Sequence, residues 1–260
     1  MNKISKALYK AKHESIQQQG KSETHVLEIG SPIKIKQADY RTTVQHPRPK
    51  QLERSRILSQ IKDQHVQDAY NLLRTQILQK TANKSLNTIM ITSPKPGEGK
   101  TTTAINLGLS ISRNQQFTAL VVDTHLRSPK VHHYLDLDCP HGLSDFLLDG
   151  VSIPELLVTP DENDFAVLPS GRSLQSSTDI LSSQAMKELV MELKHRYADR
   201  YILFDCPHLL SMPDSLVFAR YVDTILLVVE ANKTKQEEIQ ESIDILKEQN
   251  ILGLVLNKTQ

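Results

Sequence analysis

The stretch that decides the fold is "ITSPKPGEGKTTTAINL", Ile91 to Leu107. An apolar, β-branched run, "TIMIT" (Thr88–Thr92), leads into it, and a helical pattern over residues 100–112 leads out. Strand, glycine-bearing turn and helix, in that order, form the context in which a phosphate-binding loop works. Gly97 and Gly99 let backbone N–H groups curl round a phosphate, where a β-carbon would obstruct the approach. A helix beginning near Lys100 adds the positive end of its dipole. Lys100 is placed to reach the β- and γ-phosphates, and the Thr101 hydroxyl to complete Mg2+ coordination. The strict loop pattern has a glycine where this chain has Pro94. The essential nest, Gly97 to Thr101, is intact. A glycine-rich turn with an incidental lysine is the competing reading, and the strand and helix on either side weigh against it.

Outward from the loop the chain alternates strand and helix. Apolar runs occur at "TALVVD" (118–123), "FAVLP" (165–169), "YILFD" (201–205), "TILLVVE" (224–230) and "ILGLVLN" (251–257). Helical patterns cover 184–197, 214–221 and 235–249, and a longer one runs from 51 to about 83. Strands that are apolar throughout, separated by helices, indicate a mostly parallel sheet covered on both faces, a three-layer α/β P-loop architecture. Two strands end in carboxylates, Asp123 and Asp205. Ligands bind beyond the C-terminal ends of such strands, where one aspartate typically holds Mg2+ and a second positions a nucleophile.

The 260 residues suit one sizeable α/β domain (51–260) plus an appendage (1–50). With 31 basic and 30 acidic residues, the overall charge gives no case for nucleic-acid binding. Residues 1–50 hold ten Lys/Arg and four acids, so this part is basic. Within it, "MNKISKALYKA" spaces Ile4, Leu8 and Ala11 as a short amphipathic helix, which either frays or docks on a partner or an anionic membrane surface. Residues 20–50, with Gly20, Pro32, Pro47 and Pro49, read as a flexible linker. Two cysteines, Cys139 and Cys206, make no disulfide framework, no apolar run approaches membrane-span length, and the N-terminus lacks a signal-peptide core. The expectation is a cytoplasmic protein.

"SPKPGEGKTT", "VVDTHLRSP" and "LFDCPH" resemble the three nucleotide motifs of the bacterial tyrosine kinases of exopolysaccharide and capsule synthesis. "DAYNLLRTQI" (68–77), "GLSDFLLDG" (142–150), "LPSGRSLQSSTDILSS" (168–183) and "PDSLVFARYVDTILLVVEANKT" (213–234) resemble further blocks of that family in the same order. The resemblance covers roughly residues 66–258, and the N-terminal segment is similar to the exopolysaccharide-locus branch. It implies a fold related to the partitioning and septum-site ATPases, with ATP and Mg2+ at the strand ends. It implies catalysis by Lys100, Asp123 and Asp205, and metal binding by Thr101, Asp123 and Asp205. The nucleotide-binding set it suggests is Gly97, Glu98, Gly99, Lys100, Thr101, Thr102, Arg127 and Asn257. Asn257 either reads the purine or serves as a turn asparagine. The implied partner is a membrane chain-length-determinant (polysaccharide co-polymerase) protein, with peripheral membrane contact through it at the inner face, and with self-association into a homo-oligomer.

Several positions depart from the family pattern. The second motif usually reads Asp-x-Asp-x-Arg, and here it is Asp123-Thr124-His125-Leu126-Arg127. A carboxylate near the metal is thus replaced by His125, which weakens metal handling or base catalysis. The helical motif that supports ring assembly reads Asp68, Asn71 and Arg74, one guanidinium short. The last tyrosine is Tyr221, so autophosphorylation of a C-terminal tyrosine cluster is not expected, and Tyr9 and Tyr40 are the substitutes. Lys95 is either a solvated loop lysine or one that crosses a dimer interface as in partitioning-type ATPases. His125, His132, His133, Cys139 and His141 crowd together but match no compact zinc spacing. Cys206 reads as a small apolar residue beside the nucleotide. The expected function is ATP-dependent phosphorylation of protein tyrosine. The alternatives are a non-phosphorylating ATP-dependent switch and a partitioning-type ATPase.

Overall fold

The computed structural model describes residues 43–114, 116–160, 165–196 and 199–259. The expected helix at residues 1–11, most of the linker, and Tyr9 and Tyr40 lie outside the described residues. The chain begins with β1 (Thr43–Gln45), α1 (Pro49–Arg54) and α2 (Gln64–Thr81). Next come β2 (Thr88–Thr92), α3 (Lys100–Ser112), β3 (Thr118–Asp123) and four short elements: α4 (Val131–Tyr134), α5 (Leu143–Asp149), α6 (Ile153–Leu156) and β4 (Val158–Pro160). It continues with β5 (Phe165–Leu168), α7 (Ser177–Leu181), α8 (Gln184–Arg196) and β6 (Arg200–Asp205). The last elements are α9 (Pro213–Ala219), β7 (Thr224–Glu230), α10 (Gln236–Ile245) and β8 (Ile251–Asn257).

The strands form one sheet in the order β1-β4-β5-β3-β6-β2-β7-β8, and every pairing is parallel except β4 with β5. β2, β3 and β6 are central because their side chains are buried on both faces, as the unbroken apolar runs require. Alternation then splits the core into two layers. Ile89, Ile91, Val121 and Leu203 join Leu52, Ile77, Ile105 and Ile111 on the side of α1, α2 and α3. Met90, Leu120, Val122 and Phe204 join residues of α5, α8 and α9 on the other. α8 shows why it packs there: Met186, Leu189, Val190 and Leu193 recur at helical spacing and are its buried residues. Full burial of each such side chain stabilises the fold by roughly 1.5–3 kcal/mol. None of the described helices is long and apolar enough to cross a membrane.

Two expectations change. The helical pattern from 51 to 83 is two helices, because Arg56 adopts a left-handed φ of 55° and the chain turns Ile57 and Leu58 into the core. Asn106 of α3 holds that turn, accepting from the Leu58 amide at 2.8 Å and donating to the Arg56 carbonyl at 2.9 Å. Residues 43–50, expected to be linker, carry β1 and the start of α1. Thr43–Gln45 pair with Val158–Pro160, and the Gln45 side chain bonds the Asp138 amide and carbonyl, each at 2.8 Å. A strand of three residues holds too little alternation to be read in advance.

α3 lies close against the sheet because Gly108 faces it: a β-carbon there would stand 2.6 Å from Phe165 Cε2 and 3.0 Å from Val121 Cγ2. Since α3 opens on the phosphate loop, its seating fixes the loop. Gly108→Ile is expected to destabilise the domain by about 1–3 kcal/mol through overpacking. Urea denaturation monitored by circular dichroism checks this, and an unchanged midpoint would contradict the close approach.

Candidate active site

The loop between β2 and α3 is shaped by its glycines. Gly97 and Gly99 have φ of 86° and 96°, a region costly for any residue with a β-carbon. At Gly99 space also decides, since a β-carbon would sit 2.0 Å from Asn257 Nδ2. The loop carbonyls are held from outside. Asn257 Nδ2 donates to the Glu98 carbonyl at 2.9 Å, and Lys258 Nζ donates to the Gly97 carbonyl at 2.7 Å. The Glu98 carboxylate is buried and accepts from the Lys95 amide at 2.8 Å and from the Thr234 hydroxyl. Below the loop, the Thr92 hydroxyl donates to the Pro207 carbonyl at 2.6 Å. No side chain caps the first turn of α3, so its amides and dipole face a site suited to an anion. Lys100 and Thr101 are buried on this turn, with Thr102 half-buried beside them.

Asp123 and Asp205 end neighbouring strands on the same rung, where β3 pairs with β6. Both carboxyls are buried. Asp205 Oδ2 accepts from the Thr101 hydroxyl at 2.7 Å, while Asp205 Oδ1 is buried without a partner. Asp123 accepts three backbone amides: His125 on Oδ1, and Lys130 and Val131 on Oδ2, each at 3.0 Å. Burial first, and then the neighbouring Asp205 charge, push the Asp123 carboxyl up to about 7, against those three amides. Burial also raises Asp205, opposed by the Lys100 ammonium and the Thr101 hydroxyl. Two carboxylates so close need a positive partner to ionise together. The unpartnered Asp205 oxygen beside the Thr101 hydroxyl, with uncapped helix amides next to it, suits Mg2+ and a phosphate chain: hard oxygen donors on one side, anion-binding amides on the other.

Two residues of the expected nucleotide set, Arg127 and Asn257, have partners within the chain. Arg127 turns away, forming a fork on buried Asp214: Nε lies 3.2 Å from Oδ2 and Nη2 3.3 Å from Oδ1, with Nε also donating to Ser177 at 2.7 Å. Burial acts to raise the Asp214 carboxyl, but donors from Ser177, Thr178 and Arg127 outweigh it and hold it low. Asn257 is a neighbour of the loop, its amide nitrogen donating to the Glu98 carbonyl. Lys95 is ion-paired within the chain to Glu238. Of the family's helical motif, Arg74 donates to the Ser110 carbonyl at 2.7 Å and Asn71 lies 3.4 Å from the Ser110 hydroxyl, so both brace α3. Cys206 is buried, its thiol pushed up by burial, and it accepts from the Thr124 hydroxyl at 3.0 Å. That environment makes it inert. His132 and His133 stack at 4.0 Å and His141 pairs with Asp145, and among the described residues no three His, Cys, Asp or Glu side chains converge on a metal-sized site.

Other residues escaped the sequence reading. Thr124 ties the two aspartate strands, its amide and hydroxyl donating to the Asp205 carbonyl at 3.0 and 2.9 Å. Lys258 links the loop to Glu230 at 3.1 Å, and Thr234 reaches Glu98. These partners are distant along the chain, and nothing local in sequence marks them. Arg127→Ala is expected to lower stability by about 3 kcal/mol, because it leaves Asp214 buried without its cation. Urea unfolding of the nucleotide-free protein measures this, and a loss below about 1 kcal/mol would contradict the fork as the buried charge's partner.

Comparison with known proteins agrees with this geometry. The family model described as an AAA domain matches residues 86–251. Tyrosine-protein kinase YwqD of Bacillus subtilis is 32% identical over 192 residues, which is 73% of this chain and 80% of that protein. The solved kinase domain of Escherichia coli tyrosine kinase ETK is similar with a TM-score of 0.66 at 26% identity, over 72% of this chain and 73% of that one. The septum site-determining protein MinD from Pyrococcus horikoshii, solved with Mg-ADP, shares the fold at a TM-score of 0.56 and 24% identity, over 65% of this chain and 69% of that one. The three-layer, mostly parallel architecture, the loop at the end of β2 and the paired aspartates therefore have one reading: this chain belongs to the bacterial tyrosine-kinase family, on the P-loop fold it shares with septum-site ATPases.

Proposed function

We propose that this chain binds ATP with Mg2+ between the Gly97–Thr101 loop and Asp205, and transfers the γ-phosphoryl group to a protein tyrosine in exopolysaccharide or capsule synthesis. The observation that carries the reading is the buried Thr101–Asp205 hydrogen bond with the second Asp205 oxygen unpartnered, in a chain of a tyrosine-kinase family. Gly97, Glu98 and Gly99 contribute backbone amides to the phosphates, and the Lys100 ammonium neutralises their charge. Thr101 and Asp205 hold the metal, which when bound neutralises the phosphate oxygens as charge shifts to the leaving group. Asp123 takes the proton of the tyrosine hydroxyl while the phenolic oxygen bonds to the γ-phosphorus and the bond to the β-phosphate oxygen breaks. Burial raises the proton affinity of this carboxyl, which suits a proton acceptor. A membrane chain-length-determinant protein is the partner the family resemblance supports, with this chain held through it at the inner face of the membrane and working as a homo-oligomer.

A second reading has one observation in its favour. His125 occupies the place of a motif carboxylate, and the cation-binding and proton-accepting capacity of the site falls accordingly. In that reading the chain binds ATP, changes its association with the membrane partner and leaves tyrosine unmodified. The Lys95–Glu238 ion pair, formed inside one chain, lends no support to the partitioning-type alternative.

Purified protein incubated with γ-labelled Mg·ATP, with and without the cytoplasmic segment of its membrane partner, separates the readings. Label on tyrosine is expected. Label recovered only as inorganic phosphate, or retained on bound ATP, makes the protein a switch. Lys100→Ala is expected to abolish calorimetric Mg·ATP binding, and unimpaired binding by that variant would overturn the site.

A further inference from the structure

Besides Asp205 Oδ1, a second buried polar atom near the phosphate loop has no partner: His125 Nδ1. His125 is 8% exposed, and its backbone is pinned. Its amide donates to Asp123 Oδ1 at 3.0 Å, its carbonyl accepts from the Ser128 amide at 3.0 Å, and the preceding Thr124 is anchored twice on the Asp205 carbonyl. The ring lies within electrostatic reach of Lys100, the loop lysine. An imidazole is therefore held where the family motif has a carboxylate, next to Asp123, which shares its rung with Asp205 at the strand ends, and one buried nitrogen of that ring lacks any hydrogen bond. Buried polar atoms are seldom left so unless a ligand or water satisfies them.

The substitution changes donor chemistry as well as charge. Mg2+ prefers hard oxygen ligands and keeps its waters, whereas Mn2+ and later divalent ions accept imidazole nitrogen. We propose that His125 sets the divalent-ion preference of this site, favouring nucleotide binding with Mn2+ over Mg2+. The inference rests on the nucleotide reading above and adds to it the ion that this chain selects. The competing explanation is a packing histidine indifferent to the metal.

Two measurements on the full chain decide. ADP affinity is measured by calorimetry with Mg2+ and with Mn2+ for the unmodified protein, His125→Asp and His125→Asn. The Mn2+ advantage of the unmodified protein is expected to exceed that of His125→Asp by about tenfold, the order seen when a group at or around a metal site is altered. In parallel, pulsed electron paramagnetic resonance of the Mn2+·ADP complex uses protein labelled with nitrogen-15 at histidine, so that adenine nitrogens are not mistaken for imidazole. Coupling to labelled histidine is expected in the unmodified protein and lost in both variants. The first observation needs no variant, so a poorly folded variant does not protect the proposal. Absence of histidine coupling, or an equal Mn2+ advantage in the unmodified protein and His125→Asp, would overturn it. Failure of the unmodified protein to bind ADP with either ion would instead overturn the nucleotide reading, and this proposal with it.

Discussion

The hydrogen bond from the Thr101 hydroxyl to Asp205 Oδ2, 2.7 Å long and buried, is the constraint on which the site depends. It joins the first turn of α3 to the end of β6, two elements 104 residues apart in sequence. It also uses only one oxygen of a buried carboxylate. The other oxygen is left without a partner, and burial makes its charge unfavourable until a cation arrives. Much of the surrounding structure serves to keep this pair in place. Gly108 lets α3 lie on the sheet, Asn106 and Ser110 brace its far side, and Asn257 and Lys258 hold the loop that precedes it.

A second layer of support runs through Asp123. Its three amide bonds fold residues 124–131 into a tight turn, which places His125 near Lys100 and sends Arg127 to Asp214. One carboxylate thus organises the turn while its neighbour meets the Thr101 hydroxyl. Burial beside the Asp205 charge raises the proton affinity of Asp123, against the three amides of that turn, and the proton-accepting role proposed for Asp123 uses that raised affinity.

What was legible in the sequence follows from how local each signal is. The six longer strands and the loop were readable because continuous apolar runs and a strand–glycine–helix order are short-range patterns. The paired aspartates were readable for the same reason, each closing such a run. β1 and the break at Arg56 were not. A three-residue strand has too little alternation, and the break exists because Ile57 and Leu58 find a pocket against α3, a tertiary cause. The same limit applied in the site. The direction of the Arg127 side chain depends on Asp214, 87 residues away, and the position of Asn257 depends on Glu98, 159 residues away. Motif resemblance named these residues without fixing what they touch.

The central claim is that Asp205 meets the cation that accompanies the nucleotide. The most direct test compares ATP affinity in chelator and in excess divalent ion, for the unmodified protein and for Asp205→Asn, which keeps the shape and removes the charge. The account predicts that the divalent ion strengthens binding by the unmodified protein and that Asp205→Asn loses this gain while binding metal-free ATP at least as well. An undiminished gain in Asp205→Asn would contradict it.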